Sequence, residues 1–209
     1  MTSDPGEVVR RGYDAVSYRY RGDDDMPEEY LAWLDELQDS LPERADVLDL
    51  GCGCGVPVAR VLDERGHRVT GVDISGVQVE RARRLVPGAT FMQADATTVS
   101  FPDGSFDAVV CLYALIHMPL DAQPALIERI GRWLRPGGVL LATTGAREWT
   151  GGEDGWLGGD ASMWWSQADA ATYRAWITRA GLDITLDEFV PEGDSGHQVF
   201  RAYRGNFVM

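Results

Sequence analysis

The chain alternates short apolar runs with stretches of helical period. Val47-Leu48-Asp49-Leu50, the run ending Val69-Thr70-Gly71-Val72, and the runs ending at Gln93, Leu112 and Thr144 are short and rich in strand formers. They predict strands near 46–50, 68–72, 89–93, 106–112 and 138–144. Between them, apolar residues recur at helical spacing, as in Val58, Val61 and Leu62 behind Pro57, a residue suited to a helix start. Helices are predicted near 56–65, 76–86 and 121–134, with 94–105 mostly loop and a helical region near 5–41 in front. After residue 144 come a glycine- and tryptophan-rich stretch over 145–166, a helix from Asp169 to Ala180 stopped by Gly181, and strands at 182–190 and 197–204. Strands alternating with helices call for a parallel sheet covered by helices on both faces. No internal repeat and no linker interrupts the 209 residues, a length that fits one domain.

Composition narrows the chemistry. Nineteen basic residues face 33 acidic ones, a net charge of −14, so a long phosphate backbone would add repulsion and nucleic acid is not expected as a partner. All the basic residues are arginine, which removes a lysine Schiff base and a P-loop lysine from consideration. The cysteines, Cys52, Cys54 and Cys111, fit a reducing compartment, and Cys52 and Cys54 lack the further neighbouring ligands a zinc site needs, so no metal is expected. With no apolar run near 18 residues and a polar start at Met1-Thr2-Ser3, the expected location is cytoplasmic, away from membranes.

The richest segment is Asp49-Leu50-Gly51-Cys52-Gly53-Cys54-Gly55, a strand end running into a loop with glycine at every other position. Absent side chains let a ligand approach the main chain, and the following helix start offers unpaired N–H groups. Asp73 ends the second strand, where nucleotide-binding α/β sheets place a carboxylate on ribose hydroxyls. A dinucleotide fingerprint would need glycine at the sixth place from Gly51, which is Val56. Asp49 beside the loop suits the amino end of an amino-acid-bearing nucleoside better than a pyrophosphate.

On these residues the chain resembles the class I S-adenosylmethionine-dependent methyltransferases. Further segments are similar in the same order: Gly71-Val72-Asp73-Ile74-Ser75, Met92-Gln93-Ala94-Asp95-Ala96, Phe101 to Asp107 leading into Ala108–Leu112, and Leu134-Arg135-Pro136-Gly137-Gly138 as the turn into the fifth strand. The resemblance covers roughly residues 45–145. It implies a Rossmann-like, seven-stranded, mostly parallel sheet with the last strand antiparallel. It also implies an N-terminal helical cap over 1–44, a cofactor-binding core over 45–144, a lid and helix over 145–181, and a C-terminal strand pair over 182–209.

The implied cofactor is S-adenosylmethionine, leaving as S-adenosylhomocysteine. Its expected binding residues are Asp49, Gly51, Cys52, Gly53, Gly55, Asp73, Ile74, Asp95, Ala96, Cys111, Leu112 and, from the N-terminal segment, Tyr18. Cys111 also reads as a small hydrophobe in a buried strand. The implied activity is methyl transfer to the O, N or C atom of a small molecule. Tyr13, Trp164, Trp165, His117 and His197 are the expected substrate contacts, with His117 ahead of His197 as a catalytic base when the acceptor must lose a proton. The glycines from 145 to 159 and the indoles among them suggest a mobile lid. His67 precedes the second strand, at the sheet's other end, and reads as structural. Three other readings remain: a cofactor-binding regulatory protein, an enzyme of the same fold doing other chemistry, and a protein-directed methyltransferase.

Overall fold

The computed structural model describes residues 4–158 and 160–205; Met1–Ser3 and Gly159, both used above, lie outside the described residues. Two helices, α1 (Pro5–Tyr20) and α2 (Glu28–Gln38), precede an alternating series: β1 (Asp46–Leu50), α3 (Val58–Glu64), β2 (Arg68–Asp73), α4 (Gly76–Leu85), β3 (Thr90–Gln93), β4 (Phe106–Cys111), α5 (Gln123–Trp133) and β5 (Leu134–Gly145). Next come β6 (Trp149–Glu153), β7 (Met163–Gln167), α6 (Ala170–Arg179), β8 (Leu182–Glu192) and β9 (Ser195–Arg204). Seven strands form one sheet in the order β3-β2-β1-β4-β5-β9-β8, with β1 to β5 parallel and the last strand, β9, antiparallel to both its neighbours.

Alternation along the strands makes two cores. Leu48, Leu50, Val109, Cys111, Leu140 and Phe200 point to the face covered by α5 and α6. Val47, Ala108, Val110, Leu141 and Val199 point to the face covered by α2, α3 and α4. A strand buried on both faces has no reason to alternate apolar with polar, which is why β1 reads as a nearly continuous apolar run. Asp49 is the exception, only 3% exposed inside it.

Two details differ from the sequence reading. The segment Leu134–Gly138, expected as a turn, is already strand: Leu134 pairs with Phe106 and Val139 with Ala108, and the extra residues bulge out where Gly137 adopts a φ of +80°. The stretch after β5, expected as a lid, contains an antiparallel hairpin, β6 pairing with β7 from Trp149↔Gln167 to Glu153↔Met163.

Polar bonds pin α1 across the carboxyl edge of the sheet. Ser75 caps α4, accepting from Gln78 N–H, and its Oγ donates to Asp14 on α1. Ser17 Oγ donates to Gln78, and buried Arg81 donates to Ser17 and to Asp23. The chain leaves β1 toward β2 and β3 on one side and returns to β4 on the other, so a crevice opens beyond the ends of β1 and β4. Helix α1 roofs that crevice.

Candidate active site

A cavity of about 240 Å³ fills the crevice. Gly51, Gly53, Asp73, Ile74, Asp95, Ala96 and Leu112 line it from below and Asp4, Gly6, Val9, Tyr13 and Tyr20 from α1 and its start. Gly51 has a φ of +82°, and a Cβ there would sit 2.2 Å from Ala114 Cβ, so the two turns touch only because this residue is glycine. Gly53 has a φ of +52°, and a Cβ there would find its nearest neighbour at 3.9 Å, so it leaves open space over the main chain. Asp73 accepts from the N–H of Gly53 and of Ser75, both at 2.8 Å, which holds the glycine turn against the end of β2. Asp95 Oδ1 accepts from the main chain and hydroxyl of Thr97.

Asp49 lines a narrow recess beneath the turn together with Cys52, Cys54, Arg21 and Gln78. Its Oδ2 is buried and bonded to nothing in the protein. Burial, with Asp73 close by, pushes its pKa up to about 8; burial likewise lifts Asp73 to about 6 against the lowering effect of its two N–H donors. A buried carboxyl with an unpartnered oxygen, next to a second carboxylate, forms a site that a positively charged ligand would complete. Among the described residues no group of three or more His, Cys, Asp or Glu is arranged to hold a metal ion.

A second cavity, of about 270 Å³, opens beside the first. Tyr30, Ile116, Trp156, Trp165 and His197 line it, with Arg21, Glu29 and Glu192 as its charged groups. Tyr13, Tyr20, Tyr113 and His117 line both cavities and mark their junction. His117 follows β4 on a short 3-10 turn. Its Nδ1 lies 2.9 Å from the carbonyl oxygen of Trp164 and its Nε2 2.9 Å from the Tyr13 hydroxyl. A carbonyl only accepts, so Nδ1 carries the proton and Nε2 accepts from Tyr13 O–H. Burial lowers the His117 pKa to about 4, so the ring is neutral at neutral pH. His197 Nε2 meets Glu192 at 3.0 Å, and its ring stands edge-on to Tyr113 at 4.9 Å. Tyr113 holds a φ of +56°, a strained backbone for a bulky residue, at the point where β4 delivers the chain to the junction. His67 lies at the opposite end of the sheet, accepting from Ala45 N–H and donating to Gln38.

Four expected site residues sit elsewhere. Tyr18, expected at the cofactor, is 61% exposed, with the Arg81 guanidinium 3.9 Å from its ring centroid. It is five residues beyond Tyr13, about 140° around the helix, whereas Tyr20, seven beyond, returns to the Tyr13 face. Cys111 is buried in the core under α5, because alternation along β4 turns Leu112 to the cavity instead. At Gly55 a Cβ would meet Phe91, Val86 and Ala82 at 3.2–3.4 Å, so this glycine serves helix packing. Trp164 and Trp165 are neighbours on β7 and face opposite ways; Trp165 lines the second cavity, and Trp164 offers only its carbonyl. The sequence reading missed Tyr20, Tyr30, Tyr113, Arg21 and Gln78, and had Trp156 only as one indole of the expected lid. A seven-residue spacing on α1 could have found Tyr20; the others carry no local signal.

Fold and site together define a doubly wound α/β protein with a crevice at its switch point and a second, aromatic cavity opening from it. Residues 47–138 match the family described as a methyltransferase domain. A 2-methyl-6-phytyl-1,4-hydroquinone methyltransferase of Synechocystis is 43% identical over 106 residues, 49% of this chain and 33% of that protein. The 27-O-demethylrifamycin SV methyltransferase of Amycolatopsis mediterranei is 35% identical over 162 residues, 67% of this chain and 59% of that protein. The chain thus spans between a third and three fifths of these curated relatives. Among solved structures, magnesium protoporphyrin IX methyltransferase of Synechocystis with bound S-adenosylmethionine superposes with a TM-score of 0.71 at 20% identity, covering 97% of this chain and 98% of that one. The cyclase SpnF superposes with a TM-score of 0.71 at 21% identity, covering 94% of each chain. Over residues 47–138 this chain is similar to the methyltransferase-domain family, and its fold is the one these solved structures share.

Proposed function

We propose that this protein methylates a small molecule held in the second cavity, with S-adenosylmethionine in the first. The observation that carries the reading is the junction, where Tyr13, Tyr20, Tyr113 and His117 line both cavities. The described residues fit the cofactor: Asp73 would take the ribose hydroxyls, Asp95 and Ala96 the adenine, and the orphaned Asp49 Oδ2 the ammonium. Bound there, S-adenosylmethionine supplies an electrophilic methyl group. The protein's own share is then alignment: α1 and the β6–β7 hairpin hold the acceptor against the junction and keep water out. His117 and His197 are the bases to which an acceptor's proton can pass, directly or through a neighbouring hydroxyl. The hydroquinone and rifamycin methyltransferases among the relatives support a small-molecule acceptor. The acidic surface counts against nucleic acid, and among the described residues no helix is long and apolar enough to cross a membrane. We read the chain as one cytoplasmic domain with the 145–181 segment as its lid.

The likeness to SpnF favours one second reading, a non-methylation reaction on the same fold. Mass spectrometry of the purified protein with S-adenosylmethionine and a metabolite library separates the two. Methyl transfer predicts S-adenosylhomocysteine formed together with a metabolite heavier by one methyl, and its absence beside a converted metabolite favours the second reading. Calorimetry with S-adenosylhomocysteine tests the cofactor site: Asp73→Ala should weaken binding by about 2–4 kcal/mol, from the loss of one or two charged hydrogen bonds.

A further inference from the structure

Resting on the methyl-transfer reading, we propose that the acceptor is a neutral hydroxyl compound, a phenol or an alcohol. Tyr13 Oη receives its proton while handing its own to His117 Nε2. Of the three charged groups of the acceptor cavity two already have partners: the Arg21 guanidinium lies over the rings of Tyr20 and Tyr30, 5.6 and 5.1 Å from their centroids, and Glu192 meets His197, while Glu29 is the third. What faces the junction is a phenol and a neutral imidazole in a chain of fixed direction, from Tyr13 O–H to Nε2 and from Nδ1–H to the Trp164 carbonyl. Because Nε2 is already taken by Tyr13, the group left to meet an acceptor is the tyrosine oxygen, which keeps lone pairs free. Tyr13 is therefore the catalytic residue and His117 acts through it.

The step balances. As the acceptor oxygen gains the methyl, the methyl–sulfur bond breaks with its electron pair left on sulfur. The acceptor O–H proton moves to Tyr13 Oη and the Tyr13 proton to Nε2. The positive charge lost at sulfur reappears on an imidazolium whose Nδ1–H stays on a carbonyl. Burial, holding His117 near 4, suits this acceptor. A base between a phenol, near 10, and the strongly acidic methylated oxygen takes the proton only as the new bond forms. An ammonium acceptor would have to be stripped beforehand, which so weak a base does not do, and a carbon acceptor that bears no hydroxyl leaves the chain without an O–H to receive.

The test uses the whole protein, S-adenosylmethionine, and two matched acceptor series: polycyclic phenols beginning with 1-naphthol, and the corresponding arylamines. The expected product carries the methyl on oxygen. Tyr13→Phe and His117→Gln should each lower kcat by about 10²–10⁴-fold, the double variant falling no further, with S-adenosylhomocysteine affinity retained in all three. In nitrogen-15 spectra of labelled histidine, the wild-type proton should sit on Nδ1, and Tyr13→Phe should move the Nε2 signal. Methylation on nitrogen or carbon, a proton found on Nε2, or Tyr13→Phe with unchanged kcat overturns the relay while methyl transfer stands. Turnover of neither series with S-adenosylhomocysteine still bound overturns the methyl-transfer reading and the relay with it.

Discussion

The two cavities are built in opposite ways. The first cavity is made mainly from the ends of successive parallel strands: Gly51 and Gly53 after β1, Asp73 at the end of β2, Asp95 after β3 and Leu112 after β4. The second cavity takes Tyr13 and Tyr20 from α1, Tyr113 and His117 from beyond β4, Trp156 and Trp165 from the hairpin region, and His197 from β9. One is main chain and carboxylate, fixed by the sheet; the other is aromatic side chain, fixed by how separate elements pack. A fold can keep the first while exchanging the second, which is how one cofactor comes to serve many acceptors.

The largest effect should come from breaking the rigid side. Gly51→Val places a β-branched residue at a φ of +82° with its Cβ 2.2 Å from that of Ala114. Backbone strain and overpacking at about 1–3 kcal/mol each predict a loss of about 2–6 kcal/mol in stability. Denaturant unfolding measures it, and S-adenosylhomocysteine binding should fall as well. A variant of wild-type stability would show that the two turns can part freely.

The second effect separates the cavities by pH. An acid whose pKa is higher folded than unfolded, where Asp is near 3.9, stabilises the fold below that lower value and loses the contribution as pH rises through the folded one. For Asp49, raised to about 8, the window is pH 4 to 8. The ligand-free protein should lose up to about 1.4 kcal/mol per pH unit there relative to Asp49→Asn, the most one proton can give. Glu7, Asp23 and Asp46, held low by hydrogen bonds from arginines, act with the opposite sign, losing their contribution as pH falls into the acid range. Calorimetry in buffers of different ionisation enthalpy should also show proton release on cofactor binding, absent in Asp49→Asn. Equal pH slopes for the two proteins would place no titrating carboxyl beneath the turn.

The same contrast explains what the sequence could tell. The strand ends were legible because Asp49, Gly51, Gly53 and Asp73 each answer a local demand, a φ or a buried acid, that a short motif records. The hairpin was not, since Trp149-Thr150-Gly151-Gly152 reads as loop, with two glycines where strand formers would stand, and only pairing with β7 makes it a strand. The bond from Tyr13 to His117 spans 104 positions and left no trace in either segment.

A smaller effect concerns the hairpin. Trp165 lines the second cavity with its ring 5.6 Å from that of His117, whereas Trp164 contributes a carbonyl that any residue would supply. Trp165→Ala should raise the KM for the acceptor by roughly tenfold, an aromatic contact of about 1–1.5 kcal/mol, and Trp164→Ala much less. If the segment is a lid, hydrogen exchange over 145–166 should slow when the acceptor binds. A larger KM effect at Trp164, or exchange indifferent to acceptor, would take the hairpin out of substrate binding.

The smallest effect tests the division within α1 itself. Tyr18 and Tyr20 are two residues apart, yet one lies in solvent against Arg81 and the other lines both cavities. The Arg81 guanidinium is buried while the Tyr18 ring is exposed, and a cation over such a ring contributes about 0.5–2 kcal/mol. Tyr18→Ala should therefore cost no more than that in unfolding free energy and leave S-adenosylhomocysteine affinity unchanged. Tyr20→Ala should weaken S-adenosylhomocysteine binding, since it removes a wall of that cavity and the ring that stands edge-on to Tyr13 at 5.1 Å. The pair is informative because helix propensity and chemistry are the same at both positions and only the angle around the helix differs. A loss of affinity from Tyr18→Ala with none from Tyr20→Ala would mean that α1 is rotated in solution, and the junction with Tyr13 would have to be redrawn.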